Sequence, residues 1–191
     1  MYGIDIWGND NFFIEDGRVK LNAHSKPALI DIVQDVRKEG YTGPLLLRFP
    51  HLIQKQINLI YSFFNRAIDE FSYKGKFQAV YPLKVNQYPN FVKNLVELGK
   101  DFHYGLEAGS KAELILAMAF NNPQAPITVN GFKDKEMIAL GFIASEMGYN
   151  ITLTIEGLNE LEAIIDIAKN RFGKVPNVGL RIRLHSSGSG V

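Results

Sequence analysis

The sequence predicts an α/β protein whose larger part is an incomplete (β/α)8 barrel. From residue 77 onward, short β-branched and aromatic runs alternate with stretches of helical periodicity, which is typical of βα units on a parallel sheet. None of the strand-to-helix turns has the G-x-G-x-x-G sequence of a dinucleotide-binding sheet, and this favours the barrel. A complete barrel takes about 250 residues, whereas the pattern here holds five strands. We therefore expect the missing strands to lie beyond residue 191.

The order of the predicted elements is regular. A strand over 44–50 and a long helix over 51–71 come first. The five barrel strands are predicted within residues 77–84, 102–107, 127–131, 151–157 and 178–184. The helices between them are predicted at 88–98, at 111–120, around Met137 to Met147, and at 160–172. Ser110 with Glu113, and Asn159 with Glu162, have the spacing of capping boxes, which predicts two of the helix starts.

Composition limits the classes of function. The 191 residues carry 21 Lys and Arg against 20 Asp and Glu, so the net charge of +1 indicates neither a nucleic-acid partner nor an anionic membrane surface. The absence of cysteine excludes disulfides, thiolate zinc sites and a cysteine nucleophile within these residues. No apolar run approaches the roughly 20 residues of a membrane helix, and the first residues do not resemble a signal peptide. We expect a cytoplasmic protein that acts on a small molecule.

Lys84 is the first candidate for chemistry. In "YPLKVNQYP" (81–89), Pro82 lacks a ladder donor and is best tolerated at a strand end, which places Lys84 at the carboxyl end of its strand. In parallel barrels that edge carries the active site. A lysine partly desolvated there holds more of its neutral amine, which can form a Schiff base with a carbonyl. A lysine that only extends from a strand end into solvent explains the same residues equally well.

Other polar residues give weaker signals. Strand alternation puts Arg181 and Arg183 on one face, so parity does not decide which of them contacts a ligand. None of the histidines has metal-ligand spacing with another histidine or a pair of carboxylates, so we predict no metal site on them. His185 opens the glycine-serine stretch 185–190, which could close over a substrate as a loop or could be a flexible tail.

Four blocks together resemble a known family. They are "YPLKVNQ" (81–87), "GLEAGSKAEL" (105–114), "VNGFKD" (129–134) and "GLRIRLHSSGSG" (179–190). In order and spacing they resemble the biosynthetic arginine decarboxylases, which are pyridoxal 5′-phosphate (PLP) enzymes of the alanine racemase-like, fold type III class. The K-x-N pattern and the second block also suit decarboxylases of ornithine, lysine or diaminopimelate more loosely.

The resemblance implies a site and a reaction. Lys84 would form the Schiff base with PLP, Glu107 would match an acidic residue beside that lysine, and Arg181 would match an arginine that faces the cofactor. The full-length enzyme would convert L-arginine to agmatine and CO2 for polyamine synthesis. Mg²⁺ enters as a further cofactor only through the resemblance. A non-catalytic PLP-binding barrel protein is the alternative from another class.

The resemblance also implies a domain organisation. Residues 1–50 would contribute to a β-rich second domain, and residues 51–191 would form the incomplete PLP-binding barrel. The rest of the barrel and most of the β-domain would follow in a longer chain. Related enzymes are homodimers or larger assemblies that share active sites between subunits. We therefore expect residues 1–191 alone to be inactive.

Overall fold

The structure is a computed structural model that describes residues 3–170 and 175–182. The chain divides into two compact units, with the boundary between Leu52 and Ile53. The first unit contains helix α1 (Ile4–Trp7), an antiparallel hairpin of strands β1 (Phe12–Glu15) and β2 (Arg18–Leu21), and helix α2 (Leu29–Lys38). Gly17 has a φ of 69° in the hairpin turn, a conformation that glycine adopts without strain. The assignment of residues 1–50 to a β-rich domain stays a prediction.

The second unit has the alternating βα order that the sequence predicts. Its elements are α3 (Pro50–Glu70, which begins just before the boundary), β3 (Val80–Pro82), α4 (Pro89–Leu98), β4 (Gly105–Ala108), α5 (Lys111–Phe120), β5 (Pro126–Val129), α6 (Lys135–Glu146), β6 (Asn150–Ile155), α7 (Leu158–Asn170) and β7 (Asn177–Leu180). The five strands form one parallel sheet in the order β3-β4-β5-β6-β7. This confirms the predicted α/β class with five parallel barrel strands. Among the described residues, no helix is long and apolar enough to span a membrane.

The two faces of the sheet differ in chemistry. Leu106, Ile127 and Ile151 lie opposite one another in register and belong to the buried core with residues of the helices. On the alternate face, Glu107, Thr128 and Thr152 form the neighbouring row. Because side chains alternate between faces along a strand, the helices cover the apolar rows and the polar rows point the other way. In a closed barrel, this polar face would be the interior.

The prediction of a strand over 44–50 is wrong. Residues 44–49 have no regular structure, and Pro50 is the first residue of α3. A strand needs a hydrogen-bonded neighbour, and among the described strands none pairs with this segment. Pro44 and Pro50 have no N–H to donate, and the fixed φ of proline suits the first turn of a helix. The apolar run "LLL" indicated a strand without the partner that a strand requires.

The barrel strands are shorter than predicted. β3 covers three residues because Pro82 lacks a donor and the chain then turns into a 3₁₀ turn, Leu83–Val85, that buries Leu83 completely. The residues of β3 are partly exposed, and β3 lies at an edge of the sheet. β4 starts at Gly105 because His103 adopts a left-handed conformation, φ 50°. Residues 183 and 184 of the last predicted strand lie outside the described residues.

Of the two predicted capping boxes, one forms by half: Ser110 caps α5, while the Glu113 carboxylate accepts the N–H of Gly109. Ser110 Oγ accepts the Glu113 N–H at 3.2 Å at the start of α5. Asn159 is not a cap, because α7 already begins at Leu158. The carboxylate of Glu160, inside the first turn of α7, accepts the N–H of Glu156 at 2.8 Å instead. An acid at this position satisfies the free N–H groups before the helix as a capping side chain would.

Gly105 lies where β4 and β5 approach each other closely. A Cβ at this position would lie 2.0 Å from the carbonyl oxygen of Pro126. We expect Gly105→Ala to lower the free energy of unfolding by about 1–3 kcal/mol, the usual effect of forcing extra atoms into a packed interior. Denaturant unfolding of the purified protein measures the change. Gly179→Ala in β7 is the matched control, because its Cβ would make only ordinary contacts, the closest at 3.5 Å; equal losses in the two variants would contradict this explanation.

Candidate functional site

The carboxyl ends of the parallel strands meet at one edge of the sheet. Lys84 lies in the 3₁₀ turn that follows β3, and Glu107 lies in β4. Glu156 directly follows β6, and Arg181 directly follows β7. The structure thus brings the three residues predicted from the sequence, Lys84, Glu107 and Arg181, to the edge where parallel α/β folds bind ligands.

Lys84 and Glu107 form a loose ion pair. Pro82 is the register partner of Glu107, so the lysine two residues later lies just above the carboxylate. Lys84 Nζ is 3.8 Å from Glu107 Oε1, a distance that is too long for a hydrogen bond. The side chain of Lys84 is 71% exposed and that of Glu107 is 19% exposed. The expected partial desolvation of Lys84 is therefore wrong for the described residues, because they leave most of its side chain exposed.

Hydrogen bonds link the segment around Lys84 to the next βα loop. Gln87 Nε2 donates to Glu113 Oε1 at 2.6 Å, and Glu113 Oε2 accepts the Gly109 N–H at 2.7 Å. Asn86 Oδ1 accepts the Tyr88 N–H at 3.0 Å, which is the bond of a polar turn residue that leads into a helix. One buried carboxylate, Glu113, thus ties the loop after β3 to the loop after β4.

Arg181 is held by Glu156. Its Nη1 donates to Glu156 Oε1 at 3.0 Å, and the same oxygen accepts the Gly131 N–H at 2.9 Å. Burial by itself raises the pKa of Glu156, but the hydrogen bond from Gly131 and then the bond and charge of Arg181 outweigh it and lower the pKa below its usual value. Arg183, His185 and the stretch 185–190 lie outside the described residues.

Sequence reasoning missed two lysines close to this edge. Lys133, in the loop after β5, forms an ion pair with Glu160 at 3.2 Å, and both side chains are almost fully buried, at 0% and 2% exposure. Lys111, the first residue of α5, bonds to Asp134 at 2.7 Å and to Glu136 at 2.8 Å, and these bonds raise its pKa to about 12. The signal available for both was their place in the quoted blocks "GLEAGSKAEL" and "VNGFKD".

The contacts of these three lysines differ in how far they leave the amine accessible to an aldehyde. Lys133 is enclosed, and Lys111 is held as an ammonium by two carboxylates. Lys84 Nζ is exposed and has one carboxylate beside it at a distance longer than a hydrogen bond. An accessible amine at the carboxyl edge of the sheet, with cations and carboxylates nearby, fits the attachment of PLP. Within residues 3–170 and 175–182, no group of three or more His, Asp or Glu side chains is arranged to hold a metal ion.

Comparison with known proteins identifies the family. Residues 57–190 match the family model described as pyridoxal-dependent decarboxylase, pyridoxal binding domain. The chain belongs to the pyridoxal-dependent decarboxylases. In this family's terms, the sheet described above is the pyridoxal-binding domain, and the edge with Lys84, Glu107 and Arg181 is its candidate cofactor site.

The similar decarboxylases are longer than this chain. The biosynthetic arginine decarboxylase of Tolumonas auensis is 39% identical over the whole chain, which covers 31% of that protein. Arginine decarboxylase 1 of Oryza sativa subsp. japonica is 38% identical over the whole chain, which covers 30% of that protein. The chain therefore spans about a third of the length of the curated relatives it matches.

Two solved structures have the same fold. The biosynthetic arginine decarboxylase of Campylobacter jejuni is 74% identical, with a TM-score of 0.93 over 96% of this chain and 31% of its own. Diaminopimelate decarboxylase from M. jannaschi is 26% identical, with a TM-score of 0.67 over 93% of this chain and 37% of its own. The arrangement of strands and helices in this domain is thus that of solved pyridoxal-dependent decarboxylases.

The lowered pKa of Glu156 has a testable consequence for stability. A carboxylate whose pKa is lowered by folding stabilises the protein above its unfolded-state pKa, and this contribution disappears as the pH falls through the folded-state value. We expect Glu156→Gln to be less stable than the wild type at neutral pH, with the difference shrinking below about pH 4. Denaturation midpoints of both proteins over a pH series measure it. A difference that stays constant down to the acid limit would contradict the assignment.

Proposed function

We propose that the protein containing this chain is a PLP-dependent decarboxylase that converts L-arginine to agmatine and CO2. The observation that carries the proposal is the exposed amine of Lys84, 3.8 Å from Glu107, at the carboxyl edge of the sheet in a pyridoxal-binding domain. The relatives named as arginine decarboxylases support the choice of substrate. The small net charge of the chain agrees with a small-molecule substrate.

The residues at this edge have distinct roles in the proposal. PLP, when bound, supplies the electron sink that takes up the electron pair left behind by CO2. Lys84 would hold the cofactor through its amine and would carry a proton at Nζ. Glu107 places a negative charge beside that nitrogen. Arg181, fixed by Glu156, presents a guanidinium towards the cofactor side of the sheet.

We propose arginine as the substrate, and not another basic amino acid, on the basis of the two solved relatives. The structure from C. jejuni, an arginine decarboxylase, is 74% identical, whereas the diaminopimelate decarboxylase is 26% identical. Ornithine, lysine and diaminopimelate are therefore the competing substrates to assay. The match of the whole chain to proteins named as arginine decarboxylases supports an enzyme over a non-catalytic PLP-binding barrel protein.

The proposal includes an assembly. Residues 1–50 join a β-rich domain, residues 51–191 form part of a barrel that further strands close, and the protein is a homodimer or a larger homo-oligomer in the cytoplasm. The hairpin of β1 and β2 in the first unit is consistent with a β-rich domain. The two edges of the five-stranded sheet are consistent with a barrel that more strands complete. A chain of residues 1–191 alone is expected to show no decarboxylation.

Lys84→Ala is the direct test of the proposed role. In the complete protein, we expect this variant to lose the visible absorbance band of bound PLP and to release CO2 from arginine at least about 100-fold more slowly, because it has neither the amine that binds the aldehyde nor its proton-transfer group. Absorbance spectra and a CO2-release assay with arginine, ornithine, lysine and diaminopimelate measure both effects.

Lys93→Ala is the matched control for this test. Lys93 is also an exposed lysine, but it lies on α4. This variant should keep the absorbance band and the activity of the wild type. If Lys84→Ala retains both as well, the lysine is only a surface charge and the proposed site is wrong. If the wild type binds PLP but leaves arginine unchanged while it consumes diaminopimelate, the proposed substrate is wrong.

Glu107→Gln tests the carboxylate. Two unit charges about 4 Å apart interact by about 1 kcal/mol in bulk water and by more near a protein surface, so we expect kcat to fall about tenfold or more with little change in stability. Steady-state kinetics and a denaturation curve of the complete protein measure the two quantities. Glu97→Gln, an exposed acid on α4, is the matched control. A kcat of Glu107→Gln equal to that of the control would show that the carboxylate has no part in the reaction.

A further inference from the structure

Lys133 and Glu160 form an ion pair inside the domain. The lysine lies in the loop after β5, and the glutamate lies in the first turn of α7. Their side chains are 0% and 2% exposed, and Lys133 Nζ is 3.2 Å from Glu160 Oε2. Removing two charges from water is unfavourable, and the attraction between them offsets this only when both are also well hydrogen-bonded. The pair is therefore weak evidence for extra stability.

The pair fixes two stretches of backbone at once. Glu160 Oε1 accepts the N–H of Lys133 at 2.8 Å, and Glu160 Oε2 accepts the N–H of Glu156 at 2.8 Å. Lys133 Nζ also donates to the carbonyl of Gly131. Gly131 has a φ of 79°, so the chain makes a sharp turn there that the ammonium holds from inside. The loop after β5 and the end of β6 are thus tied to the same carboxylate.

The two fixed stretches meet at Glu156. The N–H of Gly131 donates to Glu156 Oε1 at 2.9 Å, while the backbone N–H of Glu156 is held by Glu160. Both the backbone and the carboxylate of Glu156 are therefore constrained. The same Oε1 accepts Nη1 of Arg181 at 3.0 Å. Arg181 itself is 62% exposed, and Glu156 is its ion-pair partner among the described residues.

We infer that Lys133, Glu160 and Glu156 are positioning residues that hold the Arg181 guanidinium in place for PLP. The inference rests on the proposed function, because it takes Arg181 as a contact of the cofactor. None of the three residues needs to touch PLP or the substrate. Their effect passes from the buried pair to Gly131 and the backbone of Glu156, then to the Glu156 carboxylate, and from there to Arg181.

The test uses variants of the complete protein at two points of this connection. Lys133→Met with Glu160→Gln removes both buried charges together, so that no single charge is left unpaired in the interior. Glu156→Gln leaves the buried pair intact and alters the carboxylate that accepts from Gly131 and Arg181. It tests the last link of the connection if the double variant yields no folded protein. Lys135→Met with Glu162→Gln, exposed residues in α6 and α7, is the matched control.

Two quantities are measured, and neither of them is activity. The first is the dissociation constant of PLP, from absorbance titration of the PLP-free protein, with each variant made in the wild-type and the Arg181→Ala backgrounds. The second is the rate at which phenylglyoxal modifies Arg181 in the PLP-free protein, followed by mass spectrometry of the peptide. The double-mutant comparison separates an effect that passes through Arg181 from a general loss of structure.

We expect the effect of each variant on PLP binding to depend on Arg181. Glu156→Gln and the buried-pair variant should each raise the dissociation constant of PLP about tenfold, since a hydrogen bond to a charged group is lost or misplaced. In the Arg181→Ala background the same changes should have almost no effect. Phenylglyoxal should modify Arg181 several times faster in both variants than in the control, because the Glu156 carboxylate that pairs with the guanidinium is missing in one variant and displaced in the other.

Either of two results would overturn the inference. One is a change in PLP affinity that is the same size with and without Arg181, and the other is an unchanged rate of phenylglyoxal modification. Failure of the positioning role can be told apart from failure of the proposed decarboxylation. A wild type that decarboxylates arginine while the variants show no coupling rejects the positioning role alone, and a coupled response in a protein that leaves arginine unchanged rejects the decarboxylation alone.

Discussion

The parallel register of β3 with β4 is the constraint on which the candidate site depends. Pro82 lies opposite Glu107, so the turn that follows β3 brings Lys84 over the carboxylate. A shift of one residue would exchange the two faces of a strand, since side chains alternate. It would move Glu107 into the apolar core beside the helices and expose Leu106, which is fully buried. The packing of the core therefore also fixes which polar groups meet at the carboxyl edge.

Three buried or largely buried carboxylates organise the loops at that edge. Glu113 joins the loops after β3 and β4, Glu160 joins the loop after β5 to the end of β6, and Glu156 joins the loop after β5 to Arg181 after β7. Each of them accepts at least one backbone N–H, which a loop of a parallel sheet would otherwise leave without a partner. Because every link crosses from one βα unit to another, the edge is held together by side chains in addition to the sheet.

The fold was largely predictable from the sequence, since the five strands and the helices between them follow from periodicity. Helix α5, Lys111–Phe120, was predicted with its observed bounds because Ser110 is a true cap. The segment 44–49 was not predictable in the same way, because an apolar run becomes a strand only if another strand pairs with it. Among the described elements, the prolines at its two ends explain why the chain enters a helix instead.

The site was predictable only in part. Lys84 follows a strand-ending proline and Glu107 lies on the adjacent strand, so local pattern and resemblance place both at the edge. The exposure of Lys84 could not be predicted, because it depends on which residues of the surrounding loops reach the amine. The pairing of Lys133 with Glu160 joins positions 27 apart in a loop and a helix, and no periodicity reports such a contact.

The most direct measurement is the location of the cofactor on the chain. Borohydride reduction of the complete protein loaded with PLP fixes the pyridoxyl group to the lysine that holds it, and peptide mass spectrometry then identifies the residue. We predict the label on Lys84. A label on Lys111, Lys133 or another lysine, with Lys84 unmodified, would contradict the assignment of the site.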